Sequence, residues 1–379
     1  MPGLTRRQLV LAVSLSGAGS HPAARFREDP LASASWRHWT SLIAEADRGG
    51  LELVTLADAP ATAVAHTGAR LPWLDPTLIA CRVAPLSIGV GLVPEVPTVT
   101  TEPFLVSTQI ATLDHVSGGR AGWSVIVSER ESDGELVGPR PVPPVGDRFR
   151  EAAEYVDVVR RLWDSWEDDA EIRDATTNRF VDREQLHHID FAGRWLAVKG
   201  PSITPRPPQG QPIVAVTIRG EASLALAAEQ ADVAFVDAGP GLLDTTRQLG
   251  DAVAAAGRDP EQVAVLADLE VVLSDDAGAA ADRAAQLDTL VPRDQRADAT
   301  FAGTPAVLAD RLIELAGDGV DGFRLHPAVI ADDLPPIARR LADELSAHGV
   351  RPSGGIRAPS LRARLGLPHP INRYAVSAR

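Results

Sequence analysis

The sequence predicts a (β/α)8 barrel, and three observations predict it. Short apolar runs alternate with helical patterns along the chain. Eight such pairs follow one another over 379 residues. The runs are apolar throughout rather than on every second residue, as strands of a parallel sheet buried on both faces are. A doubly wound sheet is the alternative, but no GxGxxG follows the first run, where that fold carries its phosphate turn.

Strands are expected at 9–16 (LVLAVSLS), 51–57 (LELVTLA), 86–93 (LSIGVGLV), 123–128 (WSVIVS), 212–218 (PIVAVTI), 232–238 (DVAFVDA), 263–273 (VAVLADLEVVL) and 321–327 (DGFRLHP). Helical patterns fill the spaces, at 36–48, 75–82, 102–113, 148–164, 221–231, 240–256, 304–316 and 332–347. Between the third helix and the fourth strand the chain reads ATLDHVSGGRAGW (111–123). Its polar turn runs from Asp114 to Arg120, with Gly118 and Gly119 supplying backbone freedom.

Two stretches break the alternation. Residues 129–147, rich in Gly and Pro, form a long loop after the fourth strand, on the face where barrel loops build active sites. Residues 165–211 are polar, then proline-rich, and form an excursion between strands four and five. The whole chain, 1–379, is taken as one barrel domain, with a tail at 350–379 that packs back on the barrel or on a partner subunit.

Composition narrows the function. The chain carries 37 Lys+Arg against 51 Asp+Glu, a net charge of −14, which argues against nucleic acid and anionic membranes as partners. No run of about 18 apolar residues is present, so no membrane span is expected. The single cysteine, Cys81, excludes an intrachain disulfide and sits in an apolar stretch that suits a buried, inert thiol. Arg6 and Arg7 before an apolar run imitate a twin-arginine leader. Reading 8–16 as the first barrel strand instead makes the protein cytoplasmic. HExxH, CxxC and Walker patterns are absent, and the adjacent His187 and His188 would point to opposite faces of a strand.

ATLDHVSGGRAGW resembles the bacterial luciferase-like, flavin-dependent monooxygenases, in the branch that oxidises nitrilotriacetate and dibenzothiophene sulfone. The similarity spans nearly the whole chain. It includes LAD (56–58), RFREAAEYVDVVRRLWDSWEDDA (148–170), HIDFAGRWLAVKGP (188–201), PPQGQPIV (207–214), GTPAVLADRL (303–312) and LRARLGLPHPINRYA (361–375). The resemblance implies reduced FMN at the C-terminal mouth of the barrel, supplied by a separate flavin reductase. There it activates oxygen for attack on a small organic substrate. It also implies a homodimer. In such enzymes the protein positions the flavin and excludes water, while the cofactor supplies the chemistry.

Carried over residue by residue, the resemblance places Asp58, Trp123, Ser124, Arg148, Phe149, Arg219 and Gly220 at the flavin. Several positions depart from the family pattern. Ser124 stands where Asn is usual, and Glu95 where a small hydroxyl residue is common. Val145 and Phe149 replace a His and Tyr pair. Ile218, Gly220 and Ser223 alter a glycine- and serine-containing phosphate turn. Four lost contacts at about 1 kcal/mol each would weaken flavin binding by about a thousandfold. A flavin-free or non-catalytic member of the fold therefore stands beside the monooxygenase reading, as does a deazaflavin-dependent hydride-transfer enzyme. His326, ending the eighth strand, and His66, after the second, are the candidate acid–base residues. The acidic residues 167–169 read as a solvated face.

Overall fold

The computed structural model describes residues 8–27, 32–58, 73–128, 143–292 and 299–375. Its strands, in chain order, are β1 Val10–Leu15, β2 Leu53–Leu56, β3 Gly91–Pro97, β4 Gly122–Ile126, β5 Glu171–Asp174, β6 Arg179–Val181, β7 Phe191–Ala192, β8 Ala197–Val198, β9 Ile213–Thr217, β10 Val233–Asp237, β11 Ala264–Leu273, β12 Thr300–Gly303 and β13 Gly322–Pro327. Eight of them close a parallel barrel in the order β1-β2-β3-β4-β9-β10-β11-β13, with β13 pairing back to β1. β11 is long enough to pair with β10 over its first half and with β12 over its last four residues.

The helices around the barrel are α1 Trp36–Arg48, α2 Pro76–Val83, α3 Pro103–Ser117, α4 Val145–Asp164, α5 Glu221–Gln230, α6 Leu242–Ala255, α7 Ala277–Leu290 and α8 Pro305–Leu315. α9 Ile330–Pro336 continues through a π-helical turn, Ile337–Leu341, into α10 Ala342–Ala347, and α11 Leu361–Arg364 lies in the tail. Among the described residues, no helix is long and apolar enough to cross a membrane.

The third strand begins later than the sequence pattern suggests. Residues 84–86 form a tight turn, and the Asp47 carboxylate accepts the N–H groups of Ile88, Gly89 and Val90. That pins the segment LSI as a loop, and β3 runs on through Pro94 and Pro97, residues that read as strand breakers. α7 and β12 are additions that the alternation did not reveal. The excursion after α4 holds two short antiparallel hairpins, β5–β6 and β7–β8.

Barrel interiors stack in layers of four side chains drawn from alternate strands. Register, with a stagger of about one residue per strand, assigns the layers here. At the N-terminal end they are apolar: Val10, Ala12, Leu53, Val93, Ile213, Ala215, Val233, Ala264 and Leu266 form one cluster with Leu361, Leu365 and Leu367 of the tail. Gly91 makes room for this plug, since a Cβ there would lie 2.6 Å from Leu361 Cδ1.

ATLDHVSGGRAGW belongs to this closed end. Gly118 and Gly119 take φ of 65° and 83°, and Gly119 O accepts the Leu361 N–H at 2.9 Å. Asp114, fully buried, accepts the N–H of Ala121 and both N–H and Nε2–H of Gln209. Burial pushes its carboxyl above the usual range, although those bonds pull against the rise. Arg120 donates to the carbonyls of Ala84, Ser87, Val90 and Ser117 and to Ser87 Oγ. The block that carries the resemblance is thus a lock on the barrel's base. Cys81, half-buried on α2, has its thiol pushed up by burial and by Asp75, which disfavours the reactive thiolate.

Candidate active site

Toward the C-terminal mouth the interior layers turn polar. The first polar layer holds Thr55 of β2, Ser124 of β4, Phe235 of β10 and Arg324 of β13. The next holds Ser14, Glu95, Thr217 and Asp268, and His326 follows above Arg324. Such a mouth requires hydroxyl or charged residues at every second position near the strand ends, and β13 supplies two in Gly322–Pro327.

Arg324 is 3% exposed. Its Nε and Nη2 donate to the two carboxylate oxygens of Asp268 at 2.7 and 2.6 Å, and Nη2 also reaches Thr217 Oγ1 at 3.3 Å. The guanidinium lies 3.5 Å from the centre of the Phe235 ring, a cation–π contact inside the barrel. His326 Nε2 lies 3.2 Å from Asp268 Oδ1. Burial works against charge on Asp268, yet Arg324 and His326 outweigh it and hold the carboxyl well below the usual carboxylate range.

Glu95 projects into the same mouth. One of its oxygens, Oε2, accepts the backbone N–H of Asp58 at 3.1 Å. Burial pushes its carboxyl above the usual range, and the Asp58 charge adds to the rise. Arg324, the Asp58 N–H and His326 pull the other way. In the layer beneath, Thr55 and Ser124 are both fully buried. Their hydroxyls, and Nη1 of Arg324, have no hydrogen-bond partner among the described residues. Three partnerless polar atoms in one layer are costly unless something polar completes them.

The residues singled out from sequence fall into three groups. Asp58, Glu95, Ser124 and His326 come together at the mouth. Trp123 does not: it is buried on the helix-facing side of β4, its ring 6.1 Å from that of Tyr155 in α4. Alternation on the strand makes this necessary, because Ser124 takes the inward place. Phe149 and Ile218 also belong to the helix-facing core, while Val145 is exposed at the start of α4, so none of the three plugs the mouth. Arg148 is buried and donates from Nε to Pro143 O and from Nη1 to Ser128 O, tying the start of α4 to the chain leaving β4. His66 lies outside the described residues, as do residues 129–142 of the loop after β4.

Arg219 and Gly220 stand exposed where β9 meets α5. Both of their N–H groups are taken by Ser223 Oγ, at 2.8 and 3.0 Å. The hydroxyl that replaces a family glycine thus caps the helix from within. It occupies donors that would otherwise face a phosphate. The leading N–H groups of α5 and the Arg219 side chain remain as the cationic features of this corner.

Arg324, Asp268 and Thr55 were missed from sequence. A signal was present: an arginine or aspartate inside an otherwise apolar strand must face the interior or be paired, and DGFRLHP carries Arg324 and VAVLADLEVVL carries Asp268 in such a place.

The sequence model of the luciferase-like monooxygenase family matches residues 18–308. N-acetyl-S-(2-succino)cysteine monooxygenase of Bacillus subtilis (strain 168) is 28% identical over 439 residues, covering 98% of this chain and 99% of the relative. Nitrilotriacetate monooxygenase component A of Aminobacter aminovorans is 30% identical over 295 residues, 73% of this chain and 64% of its own length. The solved structure of EDTA monooxygenase from Chelativorans sp. BNC1 superposes with a TM-score of 0.85, covering 96% of this chain and 99% of that one. At 23% identity that likeness concerns the fold.

Proposed function

Because this chain belongs to the luciferase-like monooxygenase family, we propose that it oxygenates a small organic substrate at the C-terminal mouth of its barrel, with reduced FMN as cofactor. A cytoplasmic homodimer served by a separate flavin reductase is part of the same proposal. The "component A" in one relative's name supports the reductase.

One observation carries the reading beyond family membership. The partnerless hydroxyls of Thr55 and Ser124 and the free Nη1 of Arg324 share one interior layer below the mouth. They suit the polar edge of a ring system, which offers the acceptors and donors that the protein does not. At the other end, Arg219 and the leading N–H groups of α5 would meet a phosphate. The residues present therefore fit a flavin mononucleotide, with the phosphate grip weakened by Ser223. When bound, the flavin supplies the activation of oxygen. The chain's own residues do the rest. The Arg324–Asp268 pair fixes a polar floor, and His326, its Nε2 3.2 Å from Asp268 Oδ1, would take part in proton transfer at the substrate. Arg148 ties the start of α4 to the chain leaving β4 and so holds the rim of the mouth in place.

The test is to mix the protein, equilibrated with reduced FMN, with oxygenated buffer. Flavin absorbance should return to the oxidised form more slowly than for free reduced FMN. Identical traces with and without protein would remove the proposal's basis.

A further inference from the structure

Glu95 has no place in that scheme, yet it stands at the centre of the mouth. Asp58 at the end of β2 and Arg324 and His326 of β13 act on it electrostatically, Asp268 of β11 shares its layer, and Glu270 of β11 stands in register with His326 above. From β1, β4 and β9 it meets only the hydroxyl residues Ser14, Ser124 and Thr217. Arg324 has its charge matched by two hydrogen bonds to Asp268. Among the described residues, Glu95 receives one backbone N–H, from Asp58, on Oε2. It has no ion pair of its own among them, and burial together with the neighbouring Asp58 carboxylate favours its protonated form. The second oxygen, Oε1, then becomes an O–H donor.

We propose that Glu95 donates a hydrogen bond from Oε1 to the electron-rich ring of the reduced flavin, making an otherwise acidic mouth compatible with an anionic cofactor. This inference rests on the flavin reading. A carboxylate aimed at an anionic ring would repel it, whereas a carboxylic acid binds it. The upward push of burial on this group agrees with the geometry. The partnerless Thr55 and Ser124 hydroxyls, on the strands either side of β3, would join the same network.

Two measurements on the full chain test it. In the flavin-free protein at neutral pH, infrared spectroscopy should show a protonated-carboxyl carbonyl band that Glu95→Gln removes. Anaerobic titration with reduced FMN should show wild-type affinity falling at least about tenfold more than that of Glu95→Gln between pH 6 and pH 9. The flavin's own titration is common to both proteins and cancels in that ratio. Equal pH dependence in the two proteins, or an unchanged infrared band, overturns the proposal. Should Glu95→Gln fail to fold, alkaline titration of the band in wild type, labelled with ¹³C-glutamate, decides the same point. Failure of the flavin reading looks different: neither protein binds reduced FMN at any pH while the band still disappears in Glu95→Gln, and the donor role falls with it.

Discussion

Arg324 clasps Asp268 through two hydrogen bonds of 2.7 and 2.6 Å inside the barrel, and His326 leans on the same carboxylate at 3.2 Å. Removing the cation would leave the mostly buried Asp268 carboxylate with only His326 beside it. Arg324→Met is therefore expected to destabilise the protein by about 3–5 kcal/mol. Adding Asp268→Leu should recover most of the loss. Urea unfolding of the three variants measures this, and additive losses in the double variant would contradict the pairing.

The same pair predicts an acid limb. The Asp268 carboxyl lies below its unfolded range, so its stabilisation is present above about pH 4 and is lost as pH falls through the folded value. Stability in wild type should decline below about pH 4 more steeply than in Asp268→Asn.

Glu95 has the opposite sign. Its carboxyl is raised on folding, so its contribution is intact below about pH 4 and is lost as pH rises through the folded value. Glu95→Gln should unfold at a higher temperature than wild type at pH 8, with the difference vanishing in acid. A variant less stable at pH 8 and equal to wild type at pH 4 would reverse the assignment.

Ser223 gives a test of the phosphate corner. Ser223→Gly frees the N–H groups of Arg219 and Gly220. It should tighten FMN relative to riboflavin by up to about tenfold, one charge-assisted hydrogen bond's worth, while weakening the cap of α5 by about 1 kcal/mol. Calorimetric titration with both flavins measures the ratio, and an unchanged ratio would place the phosphate elsewhere.

Arg120 separates scaffold from site. Arg120→Met strips the donors from four carbonyls at the closed end. A loss of about 3 kcal/mol or more in unfolding free energy is expected, with the reduced-flavin affinity of the folded fraction unchanged.

The barrel was legible because its strands are continuous apolar runs, a pattern that survives without any knowledge of contacts. Beginnings and ends were less so: β3 starts late because Asp47 ties up the loop before it, a tertiary effect invisible in LSIGVGLV. At the site, position along the strand was read more accurately than direction. Trp123 and Ser124 are adjacent, and only the alternation of the strand decides that the serine looks inward. Ile218 and Phe149, read as losses at the flavin, face the helices instead. The reckoning of four lost contacts therefore overstates the damage. Conversely, the Arg324–Asp268 pair joins residues 56 positions apart and could not be paired from spacing.

The most direct test of the account is an anaerobic equilibrium titration of the full chain with reduced FMN, followed by absorbance, beside a Thr55→Val/Ser124→Ala variant. Saturable one-to-one binding at roughly micromolar concentration is predicted, weakened about tenfold or more when the two partnerless hydroxyls are removed. Absence of saturation up to roughly millimolar flavin, or identical binding by the variant, would contradict the claim that this polar layer receives the cofactor.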